Sequence, residues 1–107
     1  MKENIRPIEN AIDKIKQING VHYRWKDEVE ELGFSPTQKE EVGVIAQEVE
    51  KVIPEAVKPA PFDHHKGESK SGENYLTVQY EKLVPLLIEA IKDQQKQIDE
   101  LKAKLNA

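Results

Sequence analysis

The last quarter of the chain constrains its folding most. Val84, Leu87, Ile91, Gln94, Ile98, Leu101 and Leu105 are separated by 3, 4, 3, 4, 3 and 4 residues, which is the spacing of a heptad seam. With Val84 at position a, Ile91, Ile98 and Leu105 also fall at a, while Leu87, Gln94 and Leu101 fall at d. A lone helix of this kind exposes its stripe to water, whereas two or three copies side by side bury it. The alternative is an amphipathic helix packed on its own domain. Ile at a with Leu at d favours two strands, but Ile88 at e and Leu83 at g widen the stripe near its start and suit more. Gln94 at a d position costs some stability and fixes the register by pairing with its own copies. Pro85 is tolerated near a helix start, so one helix is expected from about Gln79 to the end.

The remaining sequence is one small unit. The chain has 107 residues, 37% hydrophobic and 34% charged, too few for a two-domain enzyme. A single domain is expected, with an α+β head and hairpin arm over 1–78 and a coiled-coil helix over 79–107. Mean hydropathy is −0.71, so either the core is small or subunits share it. Sixteen basic and 20 acidic residues leave a net charge of −4, which offers no positive field for nucleic acid or an anionic membrane. With no cysteine, disulfide scaffolds, thiolate zinc sites and cysteine nucleophiles are all excluded. The longest apolar runs, such as 83–88, fall far short of the ~20 residues that span a bilayer, and the N-terminus lacks the apolar stretch of a signal peptide. A soluble chain with neither nucleic-acid nor membrane partner is expected.

Along the head, Lys2, Arg6 and Pro7 belong to an extended entry segment. Ile8, Ala11, Ile12, Ile15 and Ile18 recur at helical spacing, and Asn19-Gly20 suits a helix end. Val21, Tyr23 and Trp25 alternate with His22 and Arg24, predicting a half-buried strand with those apolar side chains on one face. Residues 27–41 are acidic and broken by Gly33 and Pro36, which predicts a solvated connection. Residues 42–45 suggest a short strand in which Gly43 lets another backbone approach. Ala46, Val49 and Ile53 mark a helix of one or two turns, stopped by Pro54. Residues 57–62 carry Pro59 and Pro61 and can form at best an edge strand. Asn74 to Val78 is the returning strand, and the polar, glycine-bearing segment 63–73 becomes the exposed tip of a long hairpin.

The chemistry visible in single residues is sparse. Ser35, Ser69 and Ser71 lie in expected loops without a nucleophile elbow or a lysine three residues on. His64 and His65 are adjacent beside Asp63 and His22 lies on a strand, but neighbouring histidines rarely converge on one ion. A metal-dependent enzyme using His64 and His65 is therefore the weakest reading, and no metal or cofactor is expected. Gly43, Gly67 and Gly72 do not form a phosphate loop ahead of a helix.

Three longer blocks are more specific. Met1-Lys2-Glu3-Asn4-Ile5-Arg6-Pro7-Ile8, then Gly43-Val44-Ile45-Ala46-Gln47-Glu48-Val49-Glu50-Lys51-Val52-Ile53-Pro54-Glu55, then Tyr80-Glu81-Lys82-Leu83-Val84-Pro85-Leu86-Leu87-Ile88-Glu89-Ala90-Ile91-Lys92 stand in this order. Together they resemble the endosialidase-type intramolecular chaperone domain, which ends phage tail spikes, tail fibres and neck appendages. The resemblance implies a C-terminal folding helper that brings three chains together, supports an intertwined stalk and then cuts itself off. It implies a homotrimer with a parallel coiled coil, whose interface would carry Val84, Leu87, Ile88, Ile91, Gln94, Ile98, Leu101 and Leu105. It also implies that Lys2 aligns with the lysine of a Ser-Lys dyad, Met1 with the hydrophobic position before it, and the serine with a residue four places before Met1. A serine hydroxyl attacks only when a base removes its proton, and a lysine amine serves when burial or nearby positive charge lowers its pKa. The implied activity is that of a self-cleaving serine peptidase in the intact precursor, with this chain alone inactive. The implied partner is the upstream stalk, and the implied setting is the host cytoplasm during virion assembly, with the domain released from or absent in the mature fibre. A trimerisation or interaction module that does not cut is the rival reading.

Overall fold

In the structure, a computed structural model, the described residues are 1–26, 30, 33, 40–65, 67–69, 71–72 and 75–106. In chain order the elements are helix α1 (Ala11–Lys16), strands β1 (Gly20–Arg24) and β2 (Glu40–Val44), and helix α2 (Ala46–Val52). A 3-10 turn (Pro54–Ala56) leads into strands β3 (Val57–Pro59), β4 (His64–His65), β5 (Glu68–Ser69) and β6 (Leu76–Val78). A second 3-10 turn (Tyr80–Leu83) enters helix α3 (Val84–Leu105). The fold is mixed helix and sheet with a long C-terminal helix.

The strands form three antiparallel pairs. Strand β1 pairs with β2, setting Val21 opposite Gly43 and Tyr23 opposite Glu41. Strand β3 pairs with β6, with Pro59 opposite Leu76, and β4 pairs with β5 inside that excursion. Exposure alternates along β1, so Val21, Tyr23 and Trp25 share the covered face, as period-two spacing requires. Strand β2 begins at Glu40, earlier than the acidic composition predicts, because Glu40 and Glu41 complete the ladder opposite Arg24 and Tyr23. The rest of the acidic connection lies largely outside the described residues.

The core is small and divided in two. Ala11, Leu86 and Ala90 form one centre, flanked by Ile8, Ile12, Ile15, Ile18 and Ile53. Val49, Ala56 and Leu83 form the other, flanked by Val44, Val57 and Val78, with Ile18 and Ile53 touching both. Alanine is frequent among the fully buried apolar residues, so elements approach closely but each contact buries little area. The N-terminal part of α3 packs on α1, and Pro85 sits in its first turn, where the missing N–H is not needed.

Three details differ from the sequence reading. Leu83, expected to widen the outward stripe, is 9% exposed and belongs to the second core centre. A Cβ on Gly43 would collide with the Tyr80 hydroxyl and crowd the Tyr23 ring, so the close neighbours there are side chains and not backbone. The hairpin tip is not merely a solvated loop: the Asp63 side chain has no exposed surface and receives bonds from Ser69 and Ser71 within the tip and from Tyr75 just beyond it.

Candidate assembly face and processing segment

Helix α3 carries two apolar stripes with different fates. Leu83, Leu86 and Ala90 recur at three- and four-residue spacing and are buried against the head. The seam is rotated from them by about a third of a turn at 100° per residue. Along it Val84, Leu87, Ile91, Ile98, Leu101 and Leu105 are all exposed, as is Ile88 beside them. Gln94 is exposed in the middle of the same stripe. The buried stripe stops at Ala90 while the exposed one continues to Leu105, so the head of the same chain does not cover the seam. Apart from Leu87, which borders the head, the seam is left uncovered by its own chain among the described residues.

The head end of the seam opens into a mostly apolar cleft of about 340 Å³, walled by Ile15, Ile18, Val44, Tyr80, Leu83 and Leu87. Tyr80 anchors it: its hydroxyl accepts a hydrogen bond from the Val44 N–H at 3.2 Å and fills the space left by Gly43. Burial pushes the neighbouring Tyr23 phenol above its ordinary pKa, with Tyr80 and Glu41 adding to the shift. In the first turn of α2, Glu48 accepts bonds from the Asn19 N–H at 3.0 Å and from its side-chain amide at 3.1 Å. This two-point clamp ties the α1–β1 turn to α2. The pattern reading missed Tyr80, Asn19 and Glu48 as a set, because their partners are 29 and 36 residues away and no local period links them.

Lys2 lies on the exposed segment of residues 1–7. Met1 and Ile5 beside it are also exposed, and Asn4 takes the left-handed backbone conformation at φ 55°. A groove of about 590 Å³ runs beneath the later part of this segment, between Arg6, Pro7 and Ile8 and the Ile53–Glu55 region. One chain alone thus leaves Lys2 in solvent.

At the arm tip, Asp63 gathers donors from Ser69, Ser71 and Tyr75. The Ser69 hydroxyl lies 2.8 Å from Oδ2, the Tyr75 N–H 3.0 Å from Oδ2 and the Ser71 N–H 2.8 Å from Oδ1. Burial alone would raise the carboxyl's pKa; bonds from Ser71 and Ser69, with the Tyr75 N–H, more than reverse this and hold it at about 2. His64 Nδ1 lies 3.0 Å from the Ala60 carbonyl and donates to it. Among the described residues no three His, Asp or Glu side chains converge as a metal site. An aromatic series runs from Tyr23 through Trp25 to Phe62 and Tyr75 at centroid spacings of 5.4, 6.1 and 6.1 Å, linking the β1–β2 hairpin to the arm.

Residues 1–58 match the family described as the chaperone of endosialidase. The chain belongs to that family. The match contains the first two blocks singled out in the sequence, including Lys2, Gly43 and Glu48. The chain is also similar to the long tail fibre protein Gp37 of Enterobacteria phage K3, at 37% identity over 98% of this chain and 8% of the relative. For the Gp37 of Enterobacteria phage T2 the figures are 37%, 98% and 7%, and for that of Enterobacteria phage M1 they are 34%, 98% and 38%. The chain thus spans less than a tenth of the first two of these fibre proteins. Within the chaperone domain, no described helix is long and apolar enough to cross a membrane.

Proposed function

We propose that this chain is the intramolecular chaperone domain of a phage tail-fibre or related stalk protein, and that it acts by bringing three copies of the stalk together through α3. The observation that carries this reading is the apolar seam from Val84 to Leu105, exposed along its whole length. Ile88 adds to it at the head end and Gln94 sets its register. Three α3 helices wound in parallel would bury the seam, hold the stalk ends in register and lower the entropy cost of starting an intertwined fold. The upstream stalk is the partner, and assembly takes place in the host cytoplasm.

Release completes the proposal. Lys2 acts as the base for a serine standing upstream of Met1 in the precursor: it takes the hydroxyl proton, the oxygen attacks the carbonyl of the preceding residue, the serine's own nitrogen leaves as the amine, and water hydrolyses the resulting ester to release the domain. A lysine base works from a desolvated or cation-flanked position, which neighbouring copies would have to build around the exposed segment. The exposure of Lys2 in a single chain favours a second reading, a trimerisation module that never cuts. The two separate on a denaturing gel of the chain expressed with its stalk and the residues upstream of Met1. Release of a fragment near 12.3 kDa that disappears in Lys2→Ala, with assembly retained, supports the chaperone that cuts. An uncut product supports the second reading, and a fragment that persists in Lys2→Ala removes Lys2 from the chemistry.

A further inference from the structure

The apolar face of α3 is not uniform along its length. At the head end the positions flanking the seam are Leu83 and Ile88, followed by Ala90; farther along they are Gln95, Gln97, Lys102 and Lys104. The wide end lies beside the cleft walled by Ile15, Ile18, Val44, Tyr80, Leu83 and Leu87. Leu87 belongs to both cleft and seam, so the two apolar surfaces are continuous. Ile88 is not a wall of its own chain's cleft, and it stands 52% exposed.

In a parallel, in-register coiled coil, a g residue of one helix faces the e residue five places farther along its neighbour. Leu83 ends the 3-10 turn before α3 with right-handed helical angles, φ −81° and ψ −20°, and although mostly buried it walls the cleft, so its position g turns the cleft toward position e, Ile88, of the next copy. We propose that Ile88 of a second copy seats in this head cleft, against Leu83 and Leu87 and between Ile15, Ile18 and Val44. This rests on the assembly reading above and adds that the head is part of the interface and sets the direction of the helices. Gln94 at d meets its own copies in a parallel, in-register coil, and the head adds a second restraint on direction at the wide end of the seam. A copy turned end for end about Gln94 would bring Lys102 and Lys104 opposite the apolar cleft, where losing their hydration is costly.

Because the chain has no cysteine, single introduced thiols report this contact directly. Full-length chains carrying Ile88→Cys with an affinity tag are co-expressed with untagged chains carrying Val44→Cys, or Ile15→Cys on another wall of the cleft. After mild oxidation a reductant-sensitive mixed disulfide is expected on a denaturing gel for the pair 88 with 44 or 15. None is expected when Lys102→Cys replaces Ile88→Cys. Cross-linking of 102 in preference to 88 would overturn the proposal in favour of an antiparallel copy. Loss of every cleft cross-link in chains that sediment as oligomers would overturn it while leaving the assembly reading intact. A wild-type chain that sediments as a monomer would overturn both.

Discussion

At the scale of single residues, the two most constrained positions are Asp63 and Gly43. Asp63 is buried and its carboxylate accepts hydrogen bonds from Ser69, Ser71 and Tyr75, at 2.8 to 3.0 Å for the Ser69 hydroxyl and the two backbone N–H groups. Its folded pKa, about 2, lies below its ordinary value of 3.8. The ionised carboxylate therefore contributes stability that is fully present above that ordinary value and is lost as pH falls through the folded pKa. Hydrogen exchange at the Ser71 and Tyr75 amides should accelerate, relative to the core of α3, as pH is lowered across this window. In Asp63→Asn one acceptor becomes a donor facing an N–H, so the protection should already be low at neutral pH and the added acid dependence should vanish; an unchanged profile would contradict the role. Gly43→Ala forces a Cβ onto the Tyr80 hydroxyl and should destabilise by about 1 to 3 kcal/mol, as overpacking does. Tyr80→Phe removes the colliding oxygen, so the double variant should recover part of that loss even though the Val44 N–H loses its acceptor. Simple additivity in chemical denaturation would show that the two positions do not meet.

At the scale of elements, α3 divides its labour between two faces. Leu83, Leu86 and Ala90 hold the helix to α1 and the strands, while the seam stays exposed. In the proposed assembly, replacing Ile91 and Ile98 together by Asp would remove burial of roughly 1.5 to 3 kcal/mol per side chain and set carboxylates of neighbouring copies against one another. The double variant should sediment as a monomer at micromolar concentration and retain the head's near-ultraviolet signal, since neither residue belongs to the core centres. Lys92→Ala and Lys96→Ala, at b and f of the heptad, should leave the assembly unchanged. A double variant that remains oligomeric would place the interface elsewhere.

At the scale of the whole molecule, the chain measures 63 × 36 × 20 Å with a radius of gyration of 18.3 Å, against about 13 Å for a compact chain of this length. A 22-residue α3, roughly 33 Å long at 1.5 Å per residue, accounts for much of the elongation. With a core that is small and rich in alanine, much of the stability should come from contacts between copies, and stability of that kind follows mass action. The melting temperature should rise with protein concentration over a hundredfold range in calorimetry. A midpoint independent of concentration would mean that each chain is stable alone and that the seam serves some other purpose.

Local periodicity is what the sequence determined by itself. The seam of α3, the alternation of Val21, Tyr23 and Trp25, the helix from Ala46 stopped at Pro54 and the hairpin of β3 and β6 all depend on spacing along the chain, and spacing is visible without a partner. The ordered blocks around Lys2, Gly43 and Tyr80 also indicated the family before any geometry was known. Tertiary structure decided which apolar residues go where. Leu83 and Leu87 are equally apolar and four apart, yet Leu83 enters the core and Leu87 borders both cleft and seam, because α1 and the cluster around Val49 and Ala56 cover one side and leave the other. Likewise Asp63 sits in a polar stretch that suggests solvent, and only the return of Ser69, Ser71 and Tyr75 around it makes it a buried centre. Tyr80 reaching Gly43 and Asn19 reaching Glu48 belong to the same class. Such contacts join residues distant in sequence, and their energy depends on the path of the chain between them, which no local pattern encodes.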